Sequence, residues 1–322
     1  MRLIYKILSL PFQISNLIID FLYRIGLKSS SRVAVPVISI GNISFGGEGK
    51  TPVVVSLAKF FIQKGIKPAI LIRGYKSKKE LKGDIVSKEK VAKGDWEDVG
   101  DEALLIAENV PSAPVITGKN RINSAYKAIE MGAKLIILDD GFQYRKIQRE
   151  YDIVIVSPQP SFRREFLSSI SRADAILINE DFSKEEFIKK IRKIGNDIPI
   201  FKFRTLHLGF IDRNGSKINL QGEKVIAFCG IANPLRFLES LKSLSVKPEK
   251  IIFFPDHYKF TSKDMKKIEM EAEKAGSKIA LTTEKDFIRL KKLPFSIQIV
   301  YSKIEAEIEE DFYRYILERL KI

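Results

Sequence analysis

Residues 44–52 read SFGGEGKTP and residues 134–140 read KLIILDD. A glycine-rich stretch closing on Gly-Lys-Thr has the composition of a phosphate cradle. Gly46, Gly47 and Gly49 leave room for backbone amides to converge on phosphate oxygens, with Glu48 among them. Lys50 would reach the β- and γ-phosphates, and Thr51 would offer its hydroxyl to Mg²⁺. The full pattern G-x-x-x-x-G-K-[ST] asks for glycine where Ser44 stands, so the match is to the GGxGKT core. Four apolar residues followed by Asp139 and Asp140 supply the metal-organising acids that such a loop needs on a neighbouring strand. The bland alternatives are a glycine turn with a solvated lysine and a strand end with solvated acids. Both patterns in one chain favour phosphoryl chemistry.

Other residues could handle protons or select the nucleotide. Asp101 and Glu102 open an expected helix, where acids either favour the helix dipole or supply a base and a metal contact. His257, one of two histidines, follows an apolar strand and Asp256, a position suited to proton transfer or to a structural role. His207 lies in a hairpin pattern and reads as structural. Guanine readers carry [NT]-K-x-D, whereas residues 283–286 read TEKD, so ATP is the default nucleotide. Membrane-partitioning ATPases place a lysine before the paired glycines; here that residue is Phe45.

These residues need strand ends and helix starts to hold them. From residue 33 onward apolar runs alternate with helical stretches: VAVPVISIG, TPVVVSLAKFFIQ, KPAILIRG, DEALLIAENV, NRINSAYKAIEMG, KLIILDD, YDIVIVS and ADAILIN. Runs this apolar imply a parallel sheet covered on both faces. Residues 206–222 alternate like a hairpin around Asn214-Gly215. Strand and helix then resume. The expected architecture is α/β: a P-loop NTPase parallel-sheet core at 33–205, a β-hairpin linker at 206–222, and a smaller C-terminal α/β domain at 223–322.

Residues 1–32 form a separate region. Beyond Pro11, residues Ile14, Leu17, Ile18, Phe21, Leu22 and Ile25 share one helical face, flanked by Arg2, Lys6, Arg24, Lys28 and Arg32. The stretch lacks the roughly 18–20 unbroken apolar residues of a membrane span. It suits a helix lying on an anionic membrane surface, or one packed on the protein's own core. The net charge of +15 over 322 residues fits a polyanionic partner, and equally a lysine- and glutamate-rich surface. No nucleic-acid recognition motif accompanies it. A lone cysteine, Cys229 in the apolar run VIAFC, excludes a disulfide framework and fits a reducing compartment.

SIGNISFGGEGKTP, ILIRGYK, GDEALLIA, LIILDDGFQYRK, AFCGIANPLRF, FPDHYKF and LTTEKD occur in an order that resembles the tetraacyldisaccharide 4′-kinases, the lipid A 4′-kinases of Gram-negative bacteria. The resemblance spans nearly the whole chain, and Ser44 is a feature the family shares. It implies ATP and Mg²⁺ as cofactors and tetraacyldisaccharide 1-phosphate as acceptor. It implies a monomer at the cytoplasmic face of the inner membrane, peripheral or monotopic. It implies Asp101 as the base, with His257 as its partner across a closing cleft, and Glu102, Asp139 and Asp140 around the metal. Arg73, Tyr75 and Arg121 match positions near phosphates or substrate. The sequence departs from the family at Tyr144, where a histidine is usual. It also lacks a leucine-proline-alanine-glycine run before Arg164-Glu165, in the stretch SPQPSFRREF.

Overall fold

A computed structural model describes residues 2–158, 162–182, 185–195 and 197–321, and among these every side chain except those of residues 2–7 and 182. Gln159, Pro160 and Ser161 of the departing stretch lie outside the described residues, as do the side chains of Arg2 and Lys6.

The chain begins with helix α1 (Arg2–Arg24), strand β1 (Val37–Asn42), α2 (Lys50–Gln63), β2 (Pro68–Ile72), β3 (Asp84–Ile85), α3 (Lys88–Lys93), α4 (Trp96–Val99) and α5 (Asp101–Asn109). It continues through β4 (Val115–Thr117), α6 (Arg121–Glu130), β5 (Leu135–Asp139), β6 (Tyr151–Val156), β7 (Ala175–Asn179), α7 (Glu185–Ile194) and β8 (Ile200–Asp212). It closes with β9 (Lys217–Ile218), β10 (Val225–Cys229), α8 (Pro234–Ser243), β11 (Lys250–Phe253), α9 (Ser262–Lys274), β12 (Ile279–Thr283), α10 (Glu284–Leu290), β13 (Gln298–Ile308) and α11 (Glu310–Leu320).

These elements fall into two compact units. The first holds residues 1–86, 98–205 and 306–322; the second holds 87–97 and 206–305. In the first, the strand order is β3-β4-β2-β5-β1-β6-β7-β8, parallel except for β3 against β4. Strands β1, β2, β5, β6 and β7 are buried along their whole length, as the apolar runs require of a sheet covered on both faces. Helix α2 packs on β1, β2 and β5. It stays helical through three consecutive valines because Val53, Val54 and Leu57 bury their side chains completely, which outweighs the weak helix propensity of β-branched residues. Pro52 sits in the first turn, where no intrahelical N–H is needed.

In the second unit, β11-β10-β12-β13 form a parallel set and β9 pairs antiparallel with the end of β8. The chain passes between the units within β8 and again within β13. This division departs from the expected domain map. Residues 306–322, expected in the smaller domain, belong to the first unit: Phe312 and Ile316 of α11 are buried, and the Tyr313 ring stacks on Phe60 at 4.3 Å. Residues 87–97, expected in the kinase core, join the second unit, where Lys292 pairs with Asp95 and Lys259 with Glu97. The hairpin expected as a linker contributes Phe210 and Leu220 to the second unit's core.

Helix α1 belongs to the first unit and runs unbroken through Pro11, whereas the expected apolar face begins after it. The helix is turned polar side in. Ser9 and Gln13 are buried, while Leu17 (57%) and Phe21 (58%) are exposed together with Leu8, Phe12, Ile14, Ile18 and Ile25. The inward side is held by hydrogen bonds: the Arg163 amide donates to Ser9 Oγ (2.9 Å), and Asn16 Nδ2 donates to the Arg164 carbonyl (3.1 Å).

Candidate active site

In the first unit four neighbouring strands, β4-β2-β5-β1, end at one edge of the sheet, with Ile40 beside Asp139 and Ile72 beside Thr117. The C-terminal edge of a parallel sheet is where such folds place ligands. The glycine loop follows β1, Asp139 closes β5 and Asp140 follows it, Arg73 follows β2, and Arg121 opens α6 just after β4. Sequence-distant residues therefore converge because each sits at the end of an adjacent strand.

The loop enters α2 through Gly49, whose φ of 90° is a left-handed conformation that glycine adopts without strain. Ser44 and Glu48, both buried, share a short side-chain hydrogen bond across the loop. Lys50 Nζ stands 3.5 Å from Asp140 Oδ1, so cradle and acids are in register. Arg164 Nη1 approaches Asp140 Oδ2 at 2.6 Å. The same nitrogen donates to Gln143 Oε1 (3.3 Å), and Gln143 Nε2 donates to the Asn42 carbonyl (2.8 Å) and to Glu165 Oε1 (2.9 Å).

The two acids are driven apart electrostatically. Burial, then the carboxylates of Glu102 and Asp140, push Asp139 up to about 7 against the pull of Lys50 and Arg121. Burial would raise Asp140 as well, but Lys50 and Arg164 outweigh it and hold that carboxyl well below the usual range. One carboxylate is already neutralised by cations; the other is buried among anions, and its Oδ1 lacks a hydrogen-bond partner among the described residues. Such a pair suits a divalent cation. Glu102 and Asp139 supply hard oxygen donors of the kind Mg²⁺ prefers, with Thr51 on the loop. Among the described residues no three His, Cys, Asp or Glu side chains cluster as a complete metal cage.

Arg121 is buried, and burial lowers its pKa while Asp140, Tyr144 and Asp139 oppose the shift. Tyr144 holds it: the Arg121 amide donates to the phenolic oxygen (3.0 Å), and the guanidinium lies 4.9 Å from the ring centroid. Tyr144 is thus an anchor of this arginine. Arg73 Nε pairs with Glu80 Oε1 at 2.6 Å and its guanidinium lies over Tyr75, which is exposed. Asp101 is buried at the first residue of α5, where its Oδ1 accepts from the Glu102 amide (2.9 Å). Its position is set by a backbone crossing: a Cβ on Gly100 would stand 3.2 Å from Gly74 Cα, so the loop after β2 and the start of α5 are in direct contact.

His257 belongs to the second unit, while Asp101 belongs to the first. It follows β11 with a left-handed φ of 56°. Its amide donates to Asp256 Oδ1 (3.0 Å), and Nε2 lies 3.4 Å from Lys285 Nζ. His207 contacts Ser240 Oγ at 3.1 Å. Cys229 is buried, and burial pushes its thiol up to about 12, which makes it inert. Two residues of the constellation, Gln143 and Arg164, are absent from the expected site. Gln143 lies shortly after Asp140 in the same motif, and Arg164 opens the Arg164-Glu165 pair that the resemblance marks without giving it a role.

An α/β sheet carrying a phosphate loop and paired acids on adjacent strands defines a P-loop nucleotide-binding protein. Within that class the sequence is specific. Residues 1–321 match the family described as tetraacyldisaccharide-1-P 4′-kinase, LpxK, and the chain belongs to that family. It is 34% identical over 315 residues to the tetraacyldisaccharide 4′-kinase of Desulfotalea psychrophila, covering 92% of this chain and 90% of that one. It is 36% identical over 306 residues to that of Pelodictyon phaeoclathratiforme, covering 86% and 85%. Among solved structures it is similar to the "apo" form of LpxK from Aquifex aeolicus in complex with ATP, at 29% identity, with a TM-score of 0.76 and 99% of each chain covered.

Proposed function

We propose that this chain transfers the γ-phosphate of ATP to the 4′-hydroxyl of tetraacyldisaccharide 1-phosphate, a step of lipid A biosynthesis. The observation that carries the reading is the register of Lys50 with Asp140 at the sheet edge of a member of this family. In this reading the loop from Gly46 to Thr51 binds the phosphates, and Lys50 and Arg121 offset their charge. Thr51, Asp139 and Glu102, with Asp140 beside them, would hold Mg²⁺, which would supply positive charge against the transferring phosphoryl group. Asp101 accepts the proton of the attacking hydroxyl, and His257 orients and tunes that carboxylate. Arg73 and Tyr75 line the acceptor side. Phosphoryl transfer is mostly positioning and charge neutralisation, and a cluster of cations beside buried acids provides both.

The localisation in this reading is supported by α1. No described helix is long and apolar enough to cross a membrane. The outward apolar face of α1 would rest in the headgroup region, with basic residues such as Arg24 and Lys28 meeting anionic lipid, at the cytoplasmic face of the inner membrane. The protein would act there as a monomer.

The test is transfer of labelled γ-phosphate from ATP to purified disaccharide 1-phosphate in mixed micelles with Mg²⁺, comparing the wild type with Asp101→Ala and His257→Ala. The expected outcome is wild-type transfer that falls about a hundredfold or more in each variant, the scale of a lost general base. Undiminished transfer in both variants would remove the base assignment. Nucleotide hydrolysis without lipid product would replace the kinase by an ATPase switch.

A further inference from the structure

The inward side of α1 reaches the acid that pairs with the loop lysine. Asp20 lies 3.4 Å from Arg145 Nε and 3.5 Å from Arg172 Nε. Both arginines also hold Glu165, Arg145 at 3.5 Å and Arg172 at 2.5 Å. Two carboxylates and two guanidiniums thus alternate in a closed box, and Glu165 (2%) and Arg145 (5%) are almost entirely buried. Three hydrogen bonds in series lead from the box to the site. Gln143 joins Glu165 to Arg164, and Arg164 joins Asp140.

The box also grips the backbone that presents Asp140. Arg172 lies over the Phe142 ring at 4.2 Å, and Arg145 is itself part of the turn that follows Asp140. That turn begins in a left-handed conformation, φ 54° at Asp140, which a non-glycine residue holds only when its surroundings fix it. Among the described residues α1 contributes Asp20 to the box: its Oδ1 faces Arg145 and Arg172, while its Oδ2 pairs with Arg24 of the same helix at 2.9 Å. Without Asp20, the buried guanidinium of Arg145 and the partly buried one of Arg172 share the single carboxylate of Glu165. Glu165 would then shift toward them and release Gln143 and Arg164.

We infer that Asp20, on the protein-facing side of the amphipathic helix, is a positioning residue for Asp140, acting through the Arg145–Arg172–Glu165 box. The helix that meets lipid is in this way also a structural member of the phosphoryl-transfer site. The inference rests on the kinase reading for its kinetic readout, but not for its binding readout.

The experiment compares wild type, Asp20→Asn and Asp20→Glu in the full chain. Mg²⁺·ATP affinity is measured with a fluorescent ATP analogue, and kcat and KM for transfer are measured in micelles. Asp20→Asn is expected to lower kcat about tenfold or more, as small misplacements in a preorganised site do, and to raise the Mg²⁺ concentration needed for half-maximal nucleotide binding. The KM for the lipid stays within about twofold, because an interaction needed only for the transition state moves kcat alone. Asp20→Glu, which restores the charge, recovers most of the loss. An Asp20→Asn protein with wild-type kcat and wild-type Mg²⁺ dependence overturns the inference. So does one whose loss is not relieved in Asp20→Glu. If Asp20→Asn does not fold, Arg172→Lys, which keeps the charge but not the two-sided reach, is read by the same criteria. If the wild type binds Mg²⁺·ATP but phosphorylates no disaccharide, the kinase reading fails, and the Mg²⁺ dependence of binding alone decides the role of Asp20.

Discussion

Asp139 is a carboxyl group that keeps its proton close to neutral pH, and this has a sign. Its folded value of about 7 lies above its ordinary value of 3.8, so between those limits the folded protein binds a proton that the unfolded chain has released. The contribution to stability is therefore full at low pH and is lost as pH rises through about 7. In the absence of nucleotide and Mg²⁺, Asp139→Asn should melt above the wild type at pH 8, and the difference should shrink toward pH 5. Melting curves in chelator across that range check it, and a constant difference would contradict the assignment. The same variant should lose phosphoryl transfer. Lys50, Thr51, Asp139 and Asp140 were legible because each motif is contiguous and its chemistry is local. Arg164 was not, since its bond to Asp140 spans 24 residues and depends on where the chain after β6 returns. Nor does a sequence show that Tyr144 would serve Arg121, because that contact joins two different strand ends.

At the scale of the element, α1 was legible as a stripe, with its orientation left open. A helical period marks one apolar face; it does not say whether that face meets the protein or something else. The structure decides through the polar side, where Ser9, Asn16 and Asp20 find protein partners. The first-unit strands were legible from apolar runs ending in functional residues. The short α3 and β3 were hidden in a lysine-rich stretch without period. A prediction belongs here. Phe21 is more than half exposed on the outer face, and burying such a ring in an apolar environment is worth about 1.5–3 kcal/mol. Phe21→Ser should weaken binding to anionic vesicles about tenfold, read by flotation, with the melting temperature unchanged within about 2 °C. Vesicle binding equal to the wild type would point to a partner other than lipid for that face.

For the whole molecule, the candidate proton-handling groups belong to different units, Asp101 to the first and His257 to the second. If they act as one device, their losses do not add. The double variant Asp101→Ala/His257→Ala should transfer phosphate about as slowly as the worse of the two single variants, since residues that function together are strongly non-additive. Multiplicative losses would mean that each works alone. The unit boundaries were only partly legible. The alternation of strand and helix marks each element but not the sheet it joins, and α11 joins the first unit because Phe312 and Tyr313 find Phe201 and Phe60 there.

The ring of Phe12, on the outward side of α1, packs edge-on at 5.2 Å against Phe45, the residue that leads into the glycine loop, so helix and phosphate cradle are in contact. If α1 rests on lipid as proposed, the enzyme would meet one reactant from solution and the other by lateral diffusion in a sheet of lipid. Its acceptor would then be counted per area of surface rather than per volume of water. Spreading a fixed amount of acceptor through more inert lipid would starve the enzyme, although the bulk concentration had not changed.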